Sequence, residues 1–209
     1  MEGVLGGGIV NGSVIPLAGD PGVGKSTLLL QMALNFGSQM LVLGSSEKRN
    51  LNPKTQDLKS RSVLYISGEE SEQQIKLRAQ RISKNDKNNS LLLLSITNTD
   101  EAVNVIREAK PSLVIVDSIQ TMESENLTGL SGSVGQARYA ALQFIRAAKT
   151  LNIPVILVGH VTKDGMVAGP MVLSHMVDTV LFLEGEKTTG TRLLRGLKNR
   201  FGPVDEVGV

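Results

Sequence analysis

The chain is notable first for residues that it lacks. Its 209 residues contain no cysteine and no tryptophan, and aromatic residues make up only 3%. Without cysteine, disulfides and cysteine-ligated zinc sites are excluded within these residues. With so few aromatics, the core must be built from Leu, Ile and Val, which are typical of buried parallel strands. A hydrophobic content of 41% is ample for one large domain with such a core.

An excess of charge of one sign is also missing. Lysine and arginine number 22 against 20 acidic residues, for a net charge of +2. This near-neutral net charge is compatible with nucleic-acid binding but does not require it. Any DNA contact must therefore come from local basic patches on the surface. No run reaches the roughly 18 apolar residues that a membrane span requires. Residues 1–5 show no basic start before an apolar core, so no signal peptide is expected.

The strongest motif present is a phosphate-binding one. Residues 19–27 match the P-loop pattern G-x-x-x-x-G-K-[ST], whose glycines let backbone N–H groups point at phosphate oxygens. Lys25 supplies positive charge for the β- and γ-phosphates, and the Ser26 hydroxyl is placed to bind Mg²⁺. An apolar strand-like run at 14–18 and helix-forming residues 28–34 give the strand–loop–helix order that this motif requires. The expected nucleotide-binding residues are Gly19, Asp20, Pro21, Gly22, Val23, Gly24, Lys25, Ser26 and Thr27.

Strand and helix signals alternate along the rest of the chain. Further strands are expected at 63–67, 91–95, 113–117 and 154–159, and helices at 75–82, from 99 to before Pro111, and at 135–150. Ser71 and Gln74 resemble a capping box. This alternation predicts an α/β fold with a mostly parallel sheet covered by helices on both faces. The runs 178–183, 192–198 and 204–209 predict an antiparallel edge.

Two polar stretches interrupt this pattern. Residues 44–60 contain four basic residues, two Asn and one Pro. A solvated surface insertion is the favoured interpretation there, and contact with nucleic acid is the alternative. Residues 123–134 are rich in Ser and Gly and follow the strand 113–117.

Acidic side chains at strand ends are the candidates for ATP chemistry. Asp117 ends an apolar strand, an arrangement that orients Mg²⁺ beside Ser26. Glu69 and Glu70 follow the strand 63–67, and either of them could orient the attacking water while the other caps the next helix. The residues alone leave these two glutamates equal.

The two histidines and one lysine motif need separate treatment. His160 ends the fifth strand, where a polar side chain can sense the γ-phosphate, although a partly buried structural histidine is the better interpretation of this residue without the rest of the pattern. His175 lies in an apolar, helix-like stretch and is interpreted as structural. Residues 162–164 read Thr-Lys-Asp, whereas the guanine-reading pattern [NT]KxD has its Asp one residue later. The nucleotide is therefore expected to be ATP and not GTP. Lys198 and Arg200 form the basic end of a tail strand, which is either a solvated edge or an arginine-finger device acting in trans.

Together these residues resemble the ATPase core of the bacterial RadA/Sms family, a RecA-like group. The matching segments are 5–10, 19–27, 67–71, 73–79, 116–122, 158–163, 175–180 and 198–202. The last of these reads Lys-Asn-Arg-Phe-Gly and is far more specific than the P-loop. The resemblance covers nearly the whole chain except 44–60. Family members usually carry a four-cysteine zinc finger before this core and a Lon-protease-like domain after it, and neither lies in these residues.

The resemblance implies one RecA-like ATPase domain over residues 1–209, with ATP and Mg²⁺ as cofactors. It favours Glu69 over Glu70 as the catalytic glutamate and makes His160 the sensor. Lys198 and Arg200 would reach into a neighbour's nucleotide site. Loops 123–134 and 163–172 would take the positions of the two DNA-binding loops of RecA. The expected DNA contacts are Arg138 and Lys163.

The resemblance also implies a DNA-dependent, helicase-like ATPase that moves on single-stranded DNA in homologous recombination, branch migration and DNA repair. It implies a hexameric ring, with single-stranded DNA, recombination intermediates and RecA recombinase as partners and no membrane. The implied location is cytoplasmic at the nucleoid, or an organelle stroma or matrix in a eukaryote. The alternative is a RecA-like switch whose ATP state controls assembly with a protein partner, without translocation. A small-molecule kinase fits poorly because no Arg-rich lid is visible.

Overall fold

A computed structural model of the chain describes residues 3–46, 62–83, 91–160, 173–186, 190–204 and 206–209, with the backbone alone for 37–46. The strands are β1 (Val14–Gly19), β2 (Val63–Ser67), β3 (Leu91–Ser95), β4 (Leu113–Asp117), β5 (Val155–Val158), β6 (Thr179–Gly185), β7 (Arg192–Asn199) and β8 (Val207–Gly208). The helices are α1 (Lys25–Ser46), α2 (Glu72–Ile82), α3 (Thr99–Ala109) and α4 (Val134–Leu151), with a 3-10 turn at Ile119–Thr121.

The strands form one sheet in the order β3-β2-β4-β5-β1-β6-β7-β8. All pairings from β3 to β6 are parallel, whereas β6–β7 and β7–β8 are antiparallel. The expected α/β fold with an antiparallel C-terminal edge is therefore confirmed. Because β1, β2, β4 and β5 run in the same direction, their carboxyl ends meet at one edge of the sheet.

Helices cover both faces of the sheet because successive side chains of a strand point to opposite sides. Leu64 and Ile66 of β2 pack with buried residues of α3 and α4, while Val63 and Tyr65 pack with those of α1 and α2. The buried core is aliphatic apart from Tyr65 and Phe144, as the composition predicts. No helix within the described ranges is both long and apolar enough to cross a bilayer.

Local signals define where the helices begin and end. The capping box of α2 is confirmed, since Ser71 Oγ accepts from Gln74 N–H and Gln74 Oε1 accepts from Ser71 N–H at 2.9 Å. Asn98 caps α3, and Ser133 caps α4. Such caps typically stabilise a helix by about 0.5–2 kcal/mol.

One expectation is wrong, and another falls mostly outside the described residues. Helix α1 continues to Ser46, so the first three residues of the insertion expected at 44–60 are helical. No proline interrupts the chain between residues 28 and 46, and α1 continues through Gly37 although glycine often ends helices. Residues 47–60 lie outside the described residues. The stretch around His175 is a turn closed by Met176 N–H to Leu173 O, and His175 is exposed, so it is not part of a buried apolar helix.

Candidate functional site

The P-loop begins at the last residue of β1. A Cβ on Gly19 would lie 2.3 Å from the carbonyl oxygen of Leu183 in β6, so only glycine fits there. Gly22 and Gly24 adopt φ values of 76° and 101°, which favour glycine. The first helical bond of α1 runs from Leu28 N–H to Gly24 O at 2.9 Å. The preceding N–H groups therefore have no helical acceptor and are suited to an anion.

The Lys25 side chain is buried within this loop. Its Nζ donates to Gly19 O at 2.7 Å and to Asp20 O at 2.9 Å. Burial lowers the pKa of Lys25, while the nearby charges of Asp117, Asp20 and Glu69 oppose this shift. The cation that would meet a nucleotide thus lies close to the acidic ends of β2 and β4.

Asp117 is buried at the end of β4, where it pairs with Ser67 of β2. Its Oδ2 accepts a hydrogen bond from Tyr65, and burial, reinforced by this carboxylate, raises the pKa of the phenol. Mg²⁺ at a phosphate site usually takes one or two carboxylates together with substrate oxygens and water. The Asp117 carboxylate and the half-buried Ser26 hydroxyl fit that donor set. In the described part of the chain, no cluster of three or more His, Asp or Glu residues forms a protein-only metal site.

The structure separates the two glutamates that the residues alone left equal. Both backbone N–H groups bond to Ser67 Oγ, so the glutamates share one tight turn. Glu70 points toward α2, where its carboxylate lies 2.9 Å from Arg78 Nη1. Ser95 Oγ also donates to the Glu70 carbonyl at 3.1 Å. Glu70 is therefore held away from the P-loop by a helix–strand contact.

Glu69 points toward the residues that follow β4 and β5. Its Oε1 accepts from Ser118 Oγ at 2.8 Å and lies 3.6 Å from His160 Nε2. Its charge also acts on Lys25. Ser118 was missed by the sequence reasoning, although a hydroxyl directly after Asp117 was a visible signal. Glu69, Ser118 and His160 thus come together from the ends of three strands.

Arg192 was also missed. A Cβ on Gly24 would lie 3.4 Å from Arg192 Nε, so the exposed guanidinium lies against the P-loop. Arg192 and Asp20 line a cleft of about 280 Å³. No local sequence signal pointed to Arg192, because its place follows from the register of the hairpin, in which Arg192 pairs with Gly185, two residues beyond the Leu183 that pairs with Gly19.

Lys198 and Arg200 lie toward the opposite edge of the sheet. Asn199 pairs with Thr179, four residues before Leu183 on β6, which corresponds to about 13 Å along a strand. Lys198 Nζ donates to the carbonyls of Ser174 at 2.6 Å and Val177 at 2.9 Å. These two cations are therefore not positioned at the chain's own P-loop.

Asp178 anchors this second edge. Its carboxylate lies 2.6 Å from Lys149 Nζ and 3.4 Å from Arg200 Nη1, and it accepts from Val14 N–H at 3.3 Å. Burial by itself raises the pKa of Asp178, but the bonds from Lys149 and Val14 and the two cationic charges hold the pKa below its ordinary value. Arg200 thus has a carboxylate partner within its own chain.

The loop 123–134 has a fixed first part. Ser124 N–H donates to Gln136 Oε1 at 2.9 Å, and Gln136 Nε2 donates to Leu127 O at 2.9 Å. Leu130 in the following tip is 85% exposed. Arg138 is exposed on the second turn of α4, the helix that follows this loop. Lys163 and the expected loop 163–172 lie outside the described residues.

Comparison with known proteins gives consistent matches. The family model described as "AAA domain" matches residues 2–166. DNA repair protein RadA of Bacillus subtilis (strain 168) is 48% identical over 206 residues, which cover 99% of this chain and 40% of the relative. DNA repair protein RadA of Streptococcus pneumoniae (strain ATCC BAA-255 / R6) is 45% identical over 206 residues, with 99% and 44% covered. The chain thus spans about two fifths of the length of these relatives.

Proposed function

This chain belongs to the AAA domain family, and on that premise we propose that residues 1–209 form one ATPase domain that acts in DNA repair. The observation that carries the proposal is the position of Glu69. Its carboxylate is oriented by Ser118 and acts on Lys25 of the P-loop. A carboxylate whose charge reaches a phosphate-binding lysine is suited to orient water for attack on a γ-phosphate.

The other site residues take complementary roles in this proposal. The P-loop N–H groups and Lys25 bind the phosphates, and Arg192 contributes a further positive charge at the rim. Ser26 and Asp117 would hold Mg²⁺, which supplies charge neutralisation between the β- and γ-phosphates when bound. His160, beside Glu69, senses whether the γ-phosphate is present. Glu69 orients the attacking water.

We further propose that the active form is a ring, with a hexamer as the expected state. The support is the separation of Lys198 and Arg200 from their own P-loop, because cations at that edge can act on a nucleotide only across a subunit boundary. To do so, Arg200 must exchange Asp178 for a phosphate, and Lys198 must leave its two carbonyls. Both contacts are local and partly exposed, so this exchange is a side-chain movement.

Single-stranded DNA is the proposed activator, in recombination and branch migration. Support comes from the relatives named for DNA repair, from the exposed tip of loop 123–134 and from the exposed Arg138 on the helix that follows this loop. The tip has no aromatic side chain, which favours contact with the DNA backbone over base stacking. Recombination intermediates and a recombinase such as RecA are further proposed partners.

The test is the ATPase rate with and without single-stranded DNA, for wild type, Lys25→Ala and Arg200→Ala. We expect DNA to stimulate the wild type, with a steep salt dependence. Lys25→Ala should lose hydrolysis at any protein concentration. Arg200→Ala should lose ATP hydrolysis even at protein concentrations at which the wild type is assembled into rings. A wild-type ATPase rate that is independent of DNA would overturn the proposed motor on DNA and favour the assembly switch. Full ATPase activity of Arg200→Ala would overturn the proposed action of Arg200 on the nucleotide of a neighbouring subunit.

A further inference from the structure

We infer that Gln120 is a positioning residue that couples DNA bound at loop 123–134 to the carboxylate of Glu69. The inference rests on the proposed function, because it requires an ATPase that DNA stimulates. Gln120 lies in the 3-10 turn Ile119–Thr121, directly between the end of β4 and that loop. Contacts of this turn reach Glu69, His160 and the loop tip.

The first contact connects the turn to Glu69. The fully buried Ser118 donates to Glu69 Oε1 at 2.8 Å, and Thr121 Oγ1 donates to Ser118 O at 2.8 Å. Thr121 also packs tightly on Gly68, where a Cβ would lie 2.2 Å from Thr121 Oγ1. A displacement of the turn therefore displaces Ser118 or the segment that carries Glu69, because close-packed groups transmit strain.

The second contact connects the turn to His160. Gln120 Nε2 donates to the His160 carbonyl at 3.1 Å. Gln120 Oε1 and His160 Nδ1 are both buried, and neither has a hydrogen-bond partner within the described ranges. One is an acceptor and the other is a ring nitrogen that can carry a proton, so they are chemically complementary. Buried polar atoms normally find partners, so this pair favours a second arrangement in which Nδ1–H donates to Oε1.

The third contact connects the turn to the loop. The Gln120 carbonyl oxygen lies 3.8 Å from the position that a Cβ on Gly132 would take, so the tip lies beside the turn. Gly129 and Gly132 have φ values of 146° and 78°, so the chain bends at a glycine on each side of the tip. The preceding segment is fixed to α4 through Gln136. A ligand that moves the tip thus acts on the turn, while residues 124–127 stay in place.

These contacts make Gln120 the polar connection between the two strand ends that flank Glu69. DNA on the tip would shift the turn, and the carboxamide would shift the His160 main chain at the end of β5. Glu69 responds because it bonds to Ser118 and lies beside His160. The coupling is a change in the alignment of groups already present, and Gln120 itself contacts no substrate.

The experiment compares Gln120→Met with the wild type, because methionine keeps the length of the side chain and removes both polar atoms. Gln143→Met is the matched control, since Gln143 is also half-buried but lies on α4, outside the turn. ATPase rates are measured with and without oligothymidylate. DNA affinity is measured by fluorescence anisotropy, without nucleotide and with a non-hydrolysable ATP analogue. Thermal unfolding checks that each variant is folded.

We expect Gln120→Met to lose at least about fivefold of the DNA stimulation, the lower end of usual allosteric coupling. Its DNA affinity without nucleotide should match the wild type, whereas the effect of the ATP analogue on DNA affinity should also shrink. Because coupling in binding is reciprocal, the effect of DNA on the affinity for the analogue should shrink by that same factor. Gln143→Met should behave as the wild type. A loss of stability alone would change neither the stimulation ratio nor the analogue's effect.

The two proposals fail in different ways. If the wild type is stimulated and Gln120→Met is stimulated equally, the inference is wrong and the proposed function stands. If oligothymidylate does not stimulate the wild type, both are wrong. Should Gln120→Met fail to fold, Gln120→Glu is used instead. It keeps an acceptor but loses the donor to the His160 carbonyl, so it should lose stimulation, and retained stimulation overturns the inference.

Discussion

Exchanging each of the two adjacent glutamates for glutamine separates the catalytic role from the structural one. Glu69 Oε1 accepts from Ser118 and lies 3.6 Å from His160 Nε2, whereas Glu70 is paired with Arg78 at 2.9 Å. Glutamine keeps the size and one acceptor oxygen of each side chain but removes the charge. Glu69→Gln should therefore abolish water activation with little change in packing. Glu70→Gln should weaken one ion pair and leave the chemistry intact.

The expected magnitudes differ by orders of magnitude. A positioned acid–base group typically contributes about 10²–10⁴-fold to the rate, so kcat of Glu69→Gln should fall by about that factor. Glu69 is one of three acidic neighbours that act on Lys25, so removing its charge should not weaken ATP binding. The Glu70–Arg78 pair is partly exposed, with side chains 36% and 24% accessible, so it is worth at most about 1 kcal/mol. A loss of that size lowers Tm by at most about 4 °C in a chain of this length.

Steady-state and single-turnover ATP hydrolysis at saturating Mg²⁺ measure kcat and KM, and thermal unfolding measures Tm. We expect a low kcat with unchanged KM for Glu69→Gln, and a small decrease in Tm with near-wild-type kcat for Glu70→Gln. An equal loss of kcat in both variants would refute the assignment. A loss of kcat confined to Glu70→Gln would also refute the assignment, because Glu70 would then be the catalytic carboxylate.

Three further predictions concern packing, charge and the rim of the site. Gly68→Ala places a Cβ 2.2 Å from Thr121 Oγ1, so denaturant unfolding should show a loss of about 1–3 kcal/mol, and unchanged stability would contradict this contact. The folded-state pKa of Asp178 lies below its ordinary 3.8, so its stabilisation is present above that pH and is lost as the pH falls through the folded pKa. Asp178→Asn should flatten the acid side of the stability curve, and an unchanged curve measured down to about pH 3 would refute the role of this carboxylate. Arg192→Ala should raise KM for ATP roughly tenfold with kcat retained, as for a lost hydrogen bond to a charged group, and an unchanged KM would exclude Arg192 from nucleotide binding.

Much of the fold could be predicted because its signals are local. Strands β2, β3 and β4 lie where their apolar runs predict them, and the capping box of α2 needs only Ser71 and Gln74, three residues apart. The differences lie where a local signal does not decide the structure. Helix α1 continues to Ser46 through Gly37, a residue type that often ends helices, and the apolar stretch around His175 forms a turn.

The sequence by itself determined the phosphate-binding loop, its lysine and the acidic strand ends, because these signals are local. Glycine permits the turns of the loop, and a strand is marked by residues that follow one another in the chain. Only the tertiary structure decided that Glu69 meets Ser118 while Glu70 meets Arg78. It also decided that Lys198 lies far from its own P-loop. These outcomes depend on strand order and register, which bring together residues distant in the chain. In the turn after β2, no alternating pattern tells which way Glu69 and Glu70 point.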